Sequence, residues 1–188
     1  MEAIRDLLGE SWAVPLRNDL ANSLRNRAAA KADDGDLAGA IADHDRAIGL
    51  MEAIRELMGE AWAVPLRDDL AGSIEGRAIA RYARGDVAGA LVDLDTAISL
   101  REGISEVMGE AWPFTLRNDL ARSLCNRGEG KLAAGDSSAA MADVAACLAI
   151  QQPLVAALGP NCPPSYRAVI DDALRLRATL SGDPTRPA

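Results

Sequence analysis

A fifty-residue segment recurs along this chain, and that repetition constrains the fold more than any other feature. MEAIRDLLGESWAVPLRNDL begins at Met1, MEAIRELMGEAWAVPLRDDL at Met51 and REGISEVMGEAWPFTLRNDL at Arg101, with no insertion between copies. The phase continues into a fourth, degenerate copy. Gly9, Gly59, Gly109 and Gly159 are in register, and so are Arg17, Arg67, Arg117 and Arg167. Leu24, Ile74, Leu124 and Leu174 follow, then Arg27, Arg77, Arg127 and Arg177. A fixed period of this size marks an array in which each unit buries its apolar face against its neighbours.

Each period reads as two helices. Pro65 suits a first helical position, where its missing N–H would be unpaired anyway. Leu66, Leu70, Ile74 and Ala78 then recur every fourth residue and share one face. Gly85 ends this helix, and Asp86 supplies an N-cap carboxylate for the next. In the first period the second helix starts after Asp36 and runs to Gly59 in helical phase, through Leu37, Ala40, Ile41, Ala47, Ile48, Met51, Ile54 and Met58. The predicted organisation is one all-α domain over 1–180, an α-solenoid of stacked antiparallel helix pairs. It has a stub at 1–9, pairs at about 15–58, 65–108 and 114–158, a closing helix at about 164–180, and a disordered tail at 181–188.

Composition narrows the function. Aromatic residues are 3% of the chain, which suits tight helix packing better than sheets. The formal net charge of -8 opposes nucleic-acid phosphates and anionic membranes and favours neutral or basic partners. No signal peptide or membrane span is read, and Cys125, Cys147 and Cys162 include no CxxC pair. Reduced thiols in a cytoplasmic protein are the expectation, without metal or cofactor. Cys147 reads as core, and Cys125 as more exposed.

The segments NRAAAKADDGDLAGAIADHDRAIGL from Asn26, GRAIARYARGDVAGALVDLDTAISL from Gly76 and NRGEGKLAAGDSSAAMAD from Asn126 resemble tetratricopeptide repeats. The marks are a small residue in the first helix (Ala28, Ala78, Gly128), Gly-Asp at the turn, and alanines seven apart in the second helix (Ala40 and Ala47; Ala90 and Ala97), with Cys147 standing for the later one in the third unit. The period is longer than the family's, and the usual proline after the second helix is missing. The resemblance implies a right-handed superhelix whose first helices line a concave, peptide-binding face. By that analogy the face carries Asn22, Arg25, Asn26 and Ala29, then Glu75, Ile79 and Tyr82, then Arg122, Asn126 and Glu129.

Residues that recur have a structural reading. Arg27 with Asp43, Arg77 with Asp93 and Arg127 with Asp143 belong to facing helices, and an ion pair in each unit is expected. An anion-binding arginine row is the alternative. Trp12, Trp62 and Trp112 recur in the linker, which favours packing over a row of partner anchors. His44, the only histidine, stands where Leu94 and Val144 stand elsewhere and reads as packing. No triad, metal set or phosphate loop emerges. The expected function is a non-catalytic, bacterial-type scaffold or adaptor for a protein or peptide. The alternative is a sensor domain for a small molecule or short signalling peptide. Ile4, Leu7 and Leu8 repeat the phase of Ile54, Leu57 and Met58, so self-association through the N-terminal end is also expected, as a homodimer.

Overall fold

A computed structural model describes residues 14–182. Seven α-helices succeed one another: α1 (Val14–Asp33), α2 (Leu37–Met58), α3 (Val64–Ala83), α4 (Val87–Met108), α5 (Phe114–Ala133), α6 (Ser137–Leu158) and α7 (Pro164–Ser181). No strand occurs among the described residues. The expected stub, the tail beyond Gly182 and the N-terminal self-association surface lie outside the described residues.

The helix ends follow from local chemistry. Asp36, Asp86 and Asp136 each accept a hydrogen bond from the backbone N–H three residues on, at 2.9, 2.9 and 3.0 Å, capping α2, α4 and α6. Gly35, Gly85 and Gly135 hold the turns before them with φ of 82°, 86° and 85°, a region where a Cβ is penalised. Each second helix is 22 residues long, as its periodicity predicted. Each then tightens into a three-residue 3-10 turn, at Gly59–Ala61, Gly109–Ala111 and Gly159–Asn161.

Helices pack as antiparallel pairs α1–α2, α3–α4 and α5–α6, and each pair stacks on the next, with α7 closing the last. The small residues of the repeat make this possible. Ala40, Ala90 and Ala140, and Ala47, Ala97 and Cys147, are fully buried where two helices meet. First helices also touch one another, α1 on α3, α3 on α5 and α5 on α7, whereas no contact links α2 to α4 or α4 to α6. The first helices therefore crowd onto one inner side while the second helices splay on the other. The core falls into two main clusters, one around Met51, Ile54 and Trp62 and one around Val144, Cys147 and Leu176. Cys125 belongs to the second cluster and is buried, which corrects the more exposed position expected of it.

Trp12 lies outside the described residues; the linkers of Trp62 and Trp112 are each one local assembly. Arg67 and Arg117 donate to the backbone carbonyls of Trp62 and Trp112, both at 2.9 Å, and each guanidinium lies 5.6 Å from the indole centroid. Arg167 caps the corresponding turn through Gly159 O at 3.2 Å. Trp62 and Trp112 thus brace the joints between units. By length and composition alone, Ser137–Asn161 is long and apolar enough to cross a membrane. In the fold this helix packs between α5 and α7 and carries the buried polar residues Asp143 and Gln151.

Candidate functional site

The inner side is built from α1, α3, α5 and α7, and the ten residues assigned to it fall into two groups. The first group is consumed by the fold. Glu75 is only 2% exposed, which corrects its expected place on an open binding face. It meets Arg101 at 2.9 Å and Arg122 at 2.9 Å, and accepts from Ser123 at 3.0 Å and from Asn126 at 3.2 Å. Arg101 also donates to Ser123 and reaches Asp68 at 3.3 Å. Burial acts to raise the Glu75 pKa, but the two guanidiniums override it and hold the carboxyl below its usual value. Arg122 additionally pairs with Asp119 at 2.9 Å, and Arg25 with Asp69 of the next unit at 2.7 Å.

The buried cation was not singled out in the sequence, although the register contained the signal. Position 101 holds Arg where position 51 holds the fully buried Met51 and position 151 holds the fully buried Gln151. Gln151 is likewise tied down, donating to Asn118 Oδ1 and Tyr166 O at 2.8 Å each. Successive joints therefore use different chemistry at one register position.

The second group forms a surface. Ile79 and Tyr82 are exposed at 50% and 40%, large for apolar and aromatic side chains on an inner helix face. With Ala78, Leu94, Asn126 and Glu129 they line a cleft of about 130 Å³ between the second and third units. Glu129 stands at its rim and is part of no ion pair among the described residues. Burial, then the nearby Asp172, holds its carboxyl above the usual value, against a lesser opposing effect of Arg175. Asn22 is half-buried, and Asn26 and Ala29 are exposed on the same side of α1.

The three anticipated ion pairs are present. Arg27–Asp43 closes at 2.5 Å, and Arg77–Asp93 and Arg127–Asp143 at 2.7 Å each. Lys31, Arg81 and Lys131 give each aspartate a second cation at 2.9, 2.8 and 2.7 Å. Arg77 and Arg127 also reach back to Asp45 and Asp95 of the preceding unit, both at 2.7 Å. That second role, across units, was not read from the sequence. It leaves these arginines 19% exposed where Arg27 is 54% exposed. The arginine row is thus occupied by carboxylates.

His44 is buried against Gly76, with burial first and then Arg25 and Arg77 pushing its pKa down to about 4. Cys125, Cys147 and Cys162 are all free and buried. Among the described residues no group of three or more His, Cys, Asp and Glu side chains could hold a metal ion. The chain matches no protein-family model and no curated protein.

Proposed function

We propose that the protein is a non-catalytic interaction scaffold of tetratricopeptide type, which holds a peptide or helix of another protein along its inner face. The observation that supports this is the exposed pair Ile79 and Tyr82 beside a narrow cleft on the inner side. Aromatic and aliphatic side chains left open next to a small pocket are what a partner's anchor residue uses. The cleft, at about 130 Å³, is well under the ~300–1,000 Å³ of small-molecule sites, which favours a side chain over a free ligand. The exposed residues beside the cleft differ between units: Ile79 stands where the other units have Ala29 and Glu129, and Tyr82 where they have Ala32 and Leu132.

The test is affinity capture from the source cell in parallel with wild type, Ile79→Glu and Tyr82→Ala, each confirmed folded by circular dichroism. A protein enriched by wild type and lost with both variants, and shown to bind directly by calorimetry, is the expected result. Equal capture by all three proteins would refute the inner face as the binding surface.

A further inference from the structure

Building on the inner-face reading above, we infer that the cleft between the second and third units is a receptor for one basic side chain, lysine or arginine, of a partner peptide. Its walls match the two halves of such a side chain. Ile79 and Leu94 offer an aliphatic surface for the methylene stem. Tyr82 places an aromatic ring beside the opening, and Glu129 and Asn126 place a carboxylate and a side-chain amide at its rim. The amide nitrogen of Asn126 is already spent on Glu75, so its carbonyl oxygen is the atom left to accept from a cation.

The charge around the cleft calls for a cation. Glu129 keeps an exposed face, while its partial desolvation and the nearby Asp172 both disfavour its charged form. Arg175, whose charge partly offsets this, is itself bound to Asp172. A partner's cation would neutralise a carboxylate that makes no ion pair among the described residues. The acidic balance of the whole chain, -8, steers a basic peptide toward it.

The repeat shows that this feature is local. At the preceding joint the corresponding rim position is Ile79 itself, and Ala29 and Ala32 stand where Ile79 and Tyr82 stand here. The space there is closed by His44, whose ring lies against Gly76. At the following joint Leu176 of α7 fills it, with Cδ2 only 3.2 Å from where a Cβ on Gly128 would lie. At the middle joint Leu94 replaces the histidine, Asn126 turns toward Glu75, and the cleft stays open.

The experiment uses a phage-displayed library of random twelve-residue peptides panned against wild type, Glu129→Gln and Ile79→Glu, all three shown to share one melting temperature. Wild type should select peptides with a lysine or arginine beside an apolar residue. Synthesised, these should bind about tenfold more weakly to Glu129→Gln, and about tenfold more weakly when the basic residue is replaced by norleucine. Peptides that lose binding on Ile79→Glu but carry no common basic residue, or are indifferent to Glu129→Gln, would overturn the basic-anchor assignment while leaving the inner-face reading standing. If no selected peptide responds to Ile79→Glu, the inner-face reading fails, and this assignment with it.

Discussion

Gly76 on α3 is cut away to seat His44 on α2: a methyl group there would lie 2.3 Å from the imidazole Cε1. The two residues sit in different units and depart from the repeat together, since Leu94 faces Asn126 at the next joint. Gly76→Ala gains roughly 1 kcal/mol of helix preference. Overpacking against a buried ring costs about 1–3 kcal/mol. A net loss of stability in urea denaturation is expected, and His44→Leu in the same chain should turn it into a gain. A Gly76→Ala variant more stable than wild type would show that the ring is free to move aside.

The pH dependence of stability should show two separate acid windows. His44 is depressed to about 4 from an ordinary value near 6.5. Between those values the unfolded chain takes a proton that the folded chain refuses, so stability falls as pH drops from 6.5 toward 4. Asp43 is depressed to about 2 from 3.8, first by its hydrogen bond with Arg27. Its contribution is complete above 3.8 and is lost as pH falls toward 2. Denaturation midpoints measured across pH should drop in both windows. His44→Leu should flatten the upper one alone.

The pair Arg77–Asp93 joins α3 to α4 with Asp93 almost fully buried. Single alanine changes should each destabilise, and the double change should cost less than their sum by about 0.5 kcal/mol or more. Because Arg77 also reaches Asp45, Arg77→Ala should cost more than Arg27→Ala, whose aspartate partner lies within its own unit. Strict additivity in the Arg77–Asp93 cycle would contradict the contact.

Arg101 is 2% exposed and meets Glu75, which is equally buried. Arg101→Met restores the residue of the preceding unit but strips Glu75 of its deepest cation, so a loss of about 3 kcal/mol is expected. Replacing both, Glu75→Leu with Arg101→Met, removes the stranded charge and should recover most of that loss. Equilibrium unfolding decides it: a double variant as unstable as the sum of the singles would show that the charges stabilise independently.

The helix pairs, their ends and the ion pairs within each unit were all legible from residue order. Asp36, Asp86 and Asp136 act on backbone three residues away, and Arg77 and Asp93 face each other across a single tight turn. Such interactions depend on local spacing and on helix geometry, which repeat wherever the residues repeat. Part of the inner-face assignment was also legible: four of its ten residues, Ile79, Tyr82, Asn126 and Glu129, share one cleft. Glu75 was misplaced because its exposure depends on Arg101, 26 residues away, and Arg122, 47 residues away, in other helices. No periodicity records which way a side chain turns when two units stack.

The chain's order of residues therefore settled the all-α repeat, its period and its pairing, because these rest on local backbone preference and on an apolar stripe recurring at a fixed interval. Stacking of the units decided what differs between joints: His44 fills one, and at the next the buried Glu75–Arg101 pair holds the helices while the cleft beside Glu129 stays open. Those outcomes turn on packing volume and on the desolvation of charges between residues distant in the chain. Both quantities exist only once the helices are in contact.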